Sequence, residues 1–249
     1  MIGGNGFRLG LLAAIAVAPF TSQAATVSAC GPNVCYEWDN AQAAIALTGN
    51  PSIVGDSAVF LPPSFIAHSN NNGPGDGISS GFVTTTANFI FSRIYTVNPG
   101  NEVTALNVHE EFDYEIIAPP VDATPANVRA TLYAQAASNV LGTDHISDTQ
   151  TFGPVFGDTG GNQIGTLDVL LDPANQFVAI ANDMQVTIQN TLRAYTDSTP
   201  NPDDQDAFIQ KKFTLVTETL IPVPVPGAIW LLGSAVGLLG WMRRRGSSI

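Results

Sequence analysis

From residue 83 onward the chain alternates apolar and polar residues with a period of two, the mark of strands that bury one face. In the first such segment Val83, Ala87, Phe89, Phe91, Tyr95 and Val97 fall on one side, and Thr84, Thr86, Asn88 and Ser92 on the other. Asn98-Pro99-Gly100-Asn101 is a turn sequence. Leu106, Val108, Phe112, Tyr114 and Ile116 then alternate with Asn107, His109, Glu111, Asp113 and Glu115 until Pro119-Pro120. Val128 to Ala136, Leu167 to Leu171, Met184 to Ala194 and Ile209 to Ile221 repeat the pattern, and Phe177 to Ala181 carries a weaker form of it. Glu110 stands out, because strict alternation puts it among Leu106, Val108 and Phe112. It reads as a bulge, as a buried partner for an arginine, or as a sign of shifted register.

Helical signals are sparse. A short helix is predicted from about Asn40 to Leu47, with Asp39 or Asn40 as cap and Gly49 as stop. The stretch from Asn70 to Gly77 and the stretch from Asp197 to Asp206 read as polar loops. Many strands separated by Gly, Pro and Asn turns predict an all-β domain. A single β-sandwich is the expected form, with the jelly roll as one arrangement that fits.

Both ends of the chain depart from this pattern. Arg8 precedes an apolar run from Leu9 to Phe20, and Ser22-Gln23-Ala24 supplies small residues for cleavage. That is the layout of a secretory signal peptide over residues 1–24, against the alternative of an uncleaved anchor. At the other end Gly227 to Met242 is a charge-free stretch. As a transmembrane helix over 227–242 it would span about 24 Å, short of a ~30 Å hydrocarbon core. Trp230 and Trp241 sit near its two ends, and Gly233, Gly237 and Gly240 form a small-residue stripe. Arg243, Arg244 and Arg245 follow at once. By the positive-inside rule they stay cytoplasmic, which leaves residues 25–221 on the far side of the membrane.

Val223-Pro224-Val225-Pro226-Gly227, then Ile229-Trp230-Leu231-Leu232-Gly233-Ser234, Gly237-Leu238-Leu239-Gly240 and the arginine cluster form an ordered series. It resembles the VPLPA-CTERM variant of the PEP-CTERM sorting signals, with Val225 where leucine is usual and Gly227 where alanine is usual. The resemblance is confined to this tail, residues 222–249. It implies export in a Gram-negative bacterium, a temporary membrane anchor and processing by an exosortase-type membrane enzyme. The final place would be the cell surface or the matrix, in hosts that typically make exopolysaccharide. It transfers no function to the domain in front.

Charge narrows the partners. All twenty-one acidic residues lie between Glu37 and Glu218, against only Arg93, Arg129, Arg193, Lys211 and Lys212 in the same stretch. So acidic a body repels nucleic acid and anionic lipid, and it favours solubility and divalent cations. Cys30 and Cys35 are the only cysteines. In an oxidising compartment they are expected to form a local disulfide, since C-x-x-C spacing and further metal ligands are missing nearby.

Candidate sites are few. His109, Glu111 and Asp113 share one strand face at a spacing of about 6.6–6.8 Å, a row that could meet a cation or a sugar. Asp203, Asp204 and Asp206, near Asp197, make the densest carboxylate cluster, and hard oxygen ligands in a loop suit calcium, though without the ordered EF-hand pattern. Trp38 and Tyr133, with Tyr36, Tyr195 and Phe152, are the aromatic candidates for sugar stacking. No H-E-x-x-H, G-x-S-x-G, P-loop or dinucleotide fingerprint occurs, so a non-enzymatic protein is expected. The two readings are an exported structural or adhesive protein of surface or biofilm matrix, and a carbohydrate-binding module for exopolysaccharide.

Overall fold

The computed structural model describes residues 25–71, 80–118, 125–197 and 205–222. The expected signal peptide, the sorting tail with its span, Asp203, Asp204 and residues 72–77 of the expected glycine-rich loop lie outside them. Among the described residues no helix is long and apolar enough to cross a membrane.

Twelve strands and two single-turn helices make up the described residues. In chain order they are β1 (Thr26–Cys30), β2 (Val34–Asp39), α1 (Ile45–Thr48), β3 (Ser52–Val54), β4 (Ser57–Phe60), β5 (Ile66–Asn70) and β6 (Gly81–Thr96). There follow β7 (Asn101–Ile117), β8 (Asn127–Ser138), β9 (His145–Phe156), β10 (Gln163–Leu171), α2 (Pro173–Gln176), β11 (Asp183–Thr196) and β12 (Asp206–Pro222). The first sheet runs β1-β2-β6-β11-β8-β9, and the second β10-β7-β12-β4-β3 with β5 also paired to β12. All pairings are antiparallel. The two sheets bury their apolar faces against each other, as expected of a β-sandwich.

Two bulges re-aim the long strands. In β6, Ile94 pairs with Met184 but Phe91 pairs with Val186, so Ser92 and Arg93 together oppose a single step of β11. Before the bulge Ala87, Phe89 and Phe91 point inward; after it Ile94 and Thr96 do, and Tyr95 turns out. Strict alternation had put Tyr95 and Val97 with the inward set; the extra residue reverses both. In β12 the shift between Lys211 and Phe213 has the same effect. Ala207, Ile209 and Lys211 face the core on one side of it, Thr214, Val216 and Glu218 on the other.

Glu110 is buried, and its partner is a lysine. Lys211 Nζ meets the Glu110 carboxylate between the sheets. Thr214 Oγ1 donates to the same oxygen at 3.5 Å, and Asn190 from the facing sheet lies beside the carboxylate. Burial pushes the Glu110 carboxyl up and the Lys211 ammonium down, and each draws the other back toward the charged form. The bulge at Lys212 then lets the next side chain leave the core, and Lys212 Nζ lies 2.5 Å from Asp113.

A second buried carboxyl sits near the disulfide hairpin. Cys30 and Cys35 are bonded and directly paired across β1 and β2. Gly31 in the turn between them approaches the Gly55 carbonyl so closely that a Cβ would stand 1.9 Å from it. Asp56, beside Gly55, accepts from Asn33 N at 2.7 Å and Val34 N at 3.1 Å, fastening the hairpin to the second sheet. The Tyr36 hydroxyl lies against both the Asp56 carbonyl oxygen and the Glu218 carboxyl. A phenol has one hydrogen and cannot serve two acceptors, so a protonated Glu218 completes the pair. Burial raises the Glu218 carboxyl to about 8, in keeping with that requirement.

Two local expectations change. The helix predicted over 40–47 contracts to α1 because Gln42 is held elsewhere: its side chain accepts from Ile90 N at 2.8 Å and donates to Ile90 O at 3.2 Å. Gly49, at φ 72°, does end it. The strand expected over 177–181 is a bend after α2, where the Asp144 carboxylate takes the Val178 and Ala179 amides at 2.8 and 3.0 Å. A side chain there replaces a neighbouring strand.

Lys211→Met leaves Glu110 buried without its cation and is expected to cost about 3–5 kcal/mol in urea unfolding, with Lys211→Met/Glu110→Leu recovering most of the loss. A single variant as stable as the double would show that the pair is not structural. For Glu218, the folded state keeps a proton that the unfolded chain releases near the ordinary glutamate value. Its contribution to stability is present in full below about pH 4.3 and is lost as pH rises to about 8. Glu218→Gln should therefore be close to neutral at about pH 4 and stabilising at about pH 8.5; equal effects at both would contradict the protonated carboxyl.

Candidate functional site

The sequence-predicted row of His109, Glu111 and Asp113 lies on the outer face of the second sheet, but its members are separately engaged. His109 Nδ1 is 2.7 Å from Asp168 and its ring packs on Phe213, while Asp113 holds Lys212. Glu111 is partly buried between Thr166 of β10 and Phe213 of β12. Asp206 pairs with His68 at 2.7 Å, and its two proposed calcium co-ligands lie outside the described residues. Among the described residues no group of three or more His, Cys, Asp and Glu side chains could hold a metal ion.

The aromatic candidates divide. Trp38 is only 3% exposed and stands edge-on to Phe91, with its indole N–H 3.4 Å from Asn50. It is a core residue and offers no ring at the surface. Tyr36 is buried, and Phe152 packs against Phe112 and Tyr114. Tyr133 and Tyr195, by contrast, point outward from the first sheet.

That outer face is the most distinctive surface of the molecule. Four neighbouring strands, β6, β11, β8 and β9, bring their outward residues into cross-strand rows. Thr86, Thr191, Thr131 and Thr151 form one row, and Asn88, Gln189, Tyr133 and Thr149 the next. Hydroxyls touch along it, with Thr86 and Thr191 oxygens 3.1 Å apart. Four strands at 4.7–4.9 Å spacing make the rows about 14 Å across. None of the outward positions in these rows, nor in the two described next, carries Asp or Glu.

At one end of the face Arg193 of β11 sits directly opposite Arg129 of β8. Both are exposed, and neither makes an ion pair or hydrogen bond among the described residues. Beyond them the final row is aromatic and amide: Phe82, Tyr195, Asn127 and Phe156. Phe82 is 73% exposed and its ring lies 4.5 Å from that of Tyr195; Phe156 is 56% exposed. Phe82, Asn127, Arg129, Pro154, Phe156 and Arg193 line an open trough of about 310 Å³, and Thr131 and Thr191 extend it along the strands.

β9 shapes the rim of this trough. The pairing of β8 with β9 shifts between Val128 and Ala130, opposite Gly153 and Pro154. Gly153 has φ 78° and passes so near Val128 that a Cβ would lie 2.7 Å from its carbonyl oxygen, so only glycine fits. Sequence reading missed β9 because the strand is an edge whose two faces are both largely exposed, which erases the period of two. It missed the arginine pair because residues 129 and 193 meet only through register. The single signal available was that two of five basic residues each fall on the polar side of a strand.

No family model matches the chain, and no curated protein matches it. Among solved structures, it is similar to that of infectious bursal disease virus Gx strain, at 11% identity and TM-score 0.27 over 90% of this chain and 56% of that chain. The Gt strain structure is similar at 15% identity and TM-score 0.26, over 90% and 54%. A structure from work on the promiscuous specificity of carbohydrate-binding modules of the β-sandwich superfamily aligns at 10% identity and TM-score 0.18, over 80% and 87%. The chain spans about half the length of the viral chains it matches. Likenesses at these TM-scores carry no functional conclusion.

Like charges directly opposite on neighbouring strands repel. Arg193→Gln is therefore expected to leave the melting temperature unchanged or slightly higher. A loss above about 2 kcal/mol, well outside the range of ordinary surface substitutions, would reveal a structural role for the arginine.

Proposed function

We propose that the sandwich is a non-enzymatic, exported domain of the cell surface or biofilm matrix, and that the outer face of its first sheet is the adhesive surface that holds exopolysaccharide. One observation carries the binding part: a face four strands wide, built of Thr, Asn, Gln and Tyr and free of acid, in a chain of twenty-one acidic residues. Hydroxyl and amide groups both donate and accept, as sugar hydroxyls do, so such a surface exchanges water for glycan with little loss. The disulfide agrees with an oxidising compartment. The resemblance of the tail supports the surface location and an exosortase-type partner.

The non-catalytic reading is supported by the company the histidines keep. His68 and His109 each face a carboxylate, and His145 Nδ1 lies 3.1 Å from the Thr143 carbonyl. Among the described residues none of the three has a Ser, Thr or Cys side chain as its hydrogen-bond partner.

The purified chain should be retained on the host's own exopolysaccharide, and Tyr133→Ala, at the centre of the face, should weaken retention without lowering the melting temperature. Retention on no host glycan sinks the adhesive reading. For the location, mass spectrometry of the surface-associated protein should find a C-terminus upstream of Arg243. An intact arginine cluster on that form would reject processing.

A further inference from the structure

We propose that the Arg129–Arg193 end of the face is a subsite for a carboxylate-bearing sugar, so that the ligand is an acidic heteropolysaccharide in which uronate residues are interspersed among neutral ones. This rests on reading the face as the glycan surface and specifies which glycan it takes.

The chain does not lack the means to neutralise an arginine. Arg93, the third arginine of the described residues, has its Nε and Nη2 on both Asp183 oxygens at 2.6–3.0 Å and its guanidinium 4.2 Å from the Tyr95 ring centre. Among the described residues Arg129 and Arg193 have nothing comparable, although carboxylates outnumber cations in this body by about four to one. Register places them side by side on adjacent strands, where they repel. Two planar forks with free donors, held next to each other by a rigid sheet, match the geometry of an incoming carboxylate.

The neighbours select a sugar acid over a bare anion. Exposed rings of Phe82 and Phe156 flank the arginines across the trough, presenting apolar faces to the C–H face of a pyranose. Thr131 and Thr191 continue from the arginines as hydroxyl partners. The rows next to the arginines, Thr86-Thr191-Thr131-Thr151 and Asn88-Gln189-Tyr133-Thr149, are neutral. A uniformly charged polyanion would meet only two cations here and the repulsion of the acidic body elsewhere. A chain with spaced carboxylates places one on the arginines and its neutral sugars along the Thr, Asn and Gln rows. At physiological salt the screening length is about 8 Å, so the local arginines outweigh the distant acids.

The test uses the full chain with gellan oligosaccharides, whose glucuronates are separated by neutral sugars, and the same oligosaccharides with their carboxyls reduced. Calorimetry should show wild-type affinity for gellan falling about ten-fold on carboxyl reduction, and the same loss should follow from Arg129→Gln/Arg193→Gln on native gellan. On the reduced oligosaccharide the double variant should bind like wild type. Arg129→Lys/Arg193→Lys should recover only part of the loss, because lysine keeps the charge without the fork. If the double variant binds gellan as wild type does, or if wild type binds both oligosaccharides equally, the carboxylate subsite is wrong and the glycan face stands. No binding to either, with retention on host matrix intact, also overturns the subsite alone; no binding to any glycan overturns both readings. Arginine-dependent dimerisation in sedimentation, without glycan binding, would assign the pair to contact with the acidic body of a second copy instead.

Discussion

A lysine and a glutamate face each other between the two sheets, where water cannot solvate either, and that constraint governs how the centre of the second sheet pairs. Removing either partner strands a buried charge, so β7 and β12 must meet in the one register that brings Glu110 to Lys211. β12 in turn is the strand on which that sheet is assembled: β7 lies along one side, and β4 and β5 share the other. The bulge after Lys211 lets two successive lysines serve opposite sides, one paired in the core and one paired outside with Asp113. Asn190 of β11 lies against the same charge pair from the facing sheet.

β11 carries that consequence to the opposite surface. Its inward residues run through Val186, Ile188, Asn190 and Leu192, and the residues between them are the outward Thr187, Gln189, Thr191 and Arg193. Because side chains alternate without exception along a regular strand, placing Asn190 in the core also places Arg193 on the outer face. β8, in continuous register with β11, then delivers Arg129 beside it. The proposed subsite is thus held by the backbone ladder of β8 and β11 rather than by a loop.

The two outer faces have opposite characters. The second sheet shows His109, Glu111, Asp113 and Asp168, largely tied to one another's neighbours. β6, β11, β8 and β9 of the first sheet show hydroxyls, amides, tyrosines and the Arg129–Arg193 pair, with acids at hairpin ends such as Asp144 and Asp183. In those places carboxylates cap turns or fork arginine and leave the broad face neutral. A body this acidic thus presents one surface that does not repel an acidic glycan.

Much of the sandwich could be read along the chain because a half-buried strand writes its burial every second residue. β6, β7, β8, β10, β11 and β12 announced themselves that way, and the disulfide was legible in two lone cysteines five positions apart. β9 and the bulges did not, since an edge strand has no buried side to mark and an inserted residue looks locally like any other. Trp38 was read as a possible surface ring and lies in the core, because composition says nothing of which side of a sheet faces in. Residue order alone, then, establishes an all-β body with its acids, its alternation and the oddity of Glu110. The partner of Glu110 lies 101 residues further along the chain, and Arg129 and Arg193 are likewise far apart in sequence. Such meetings depend on strand order and register, which arise from the burial of all the strands together and are written in no single one of them.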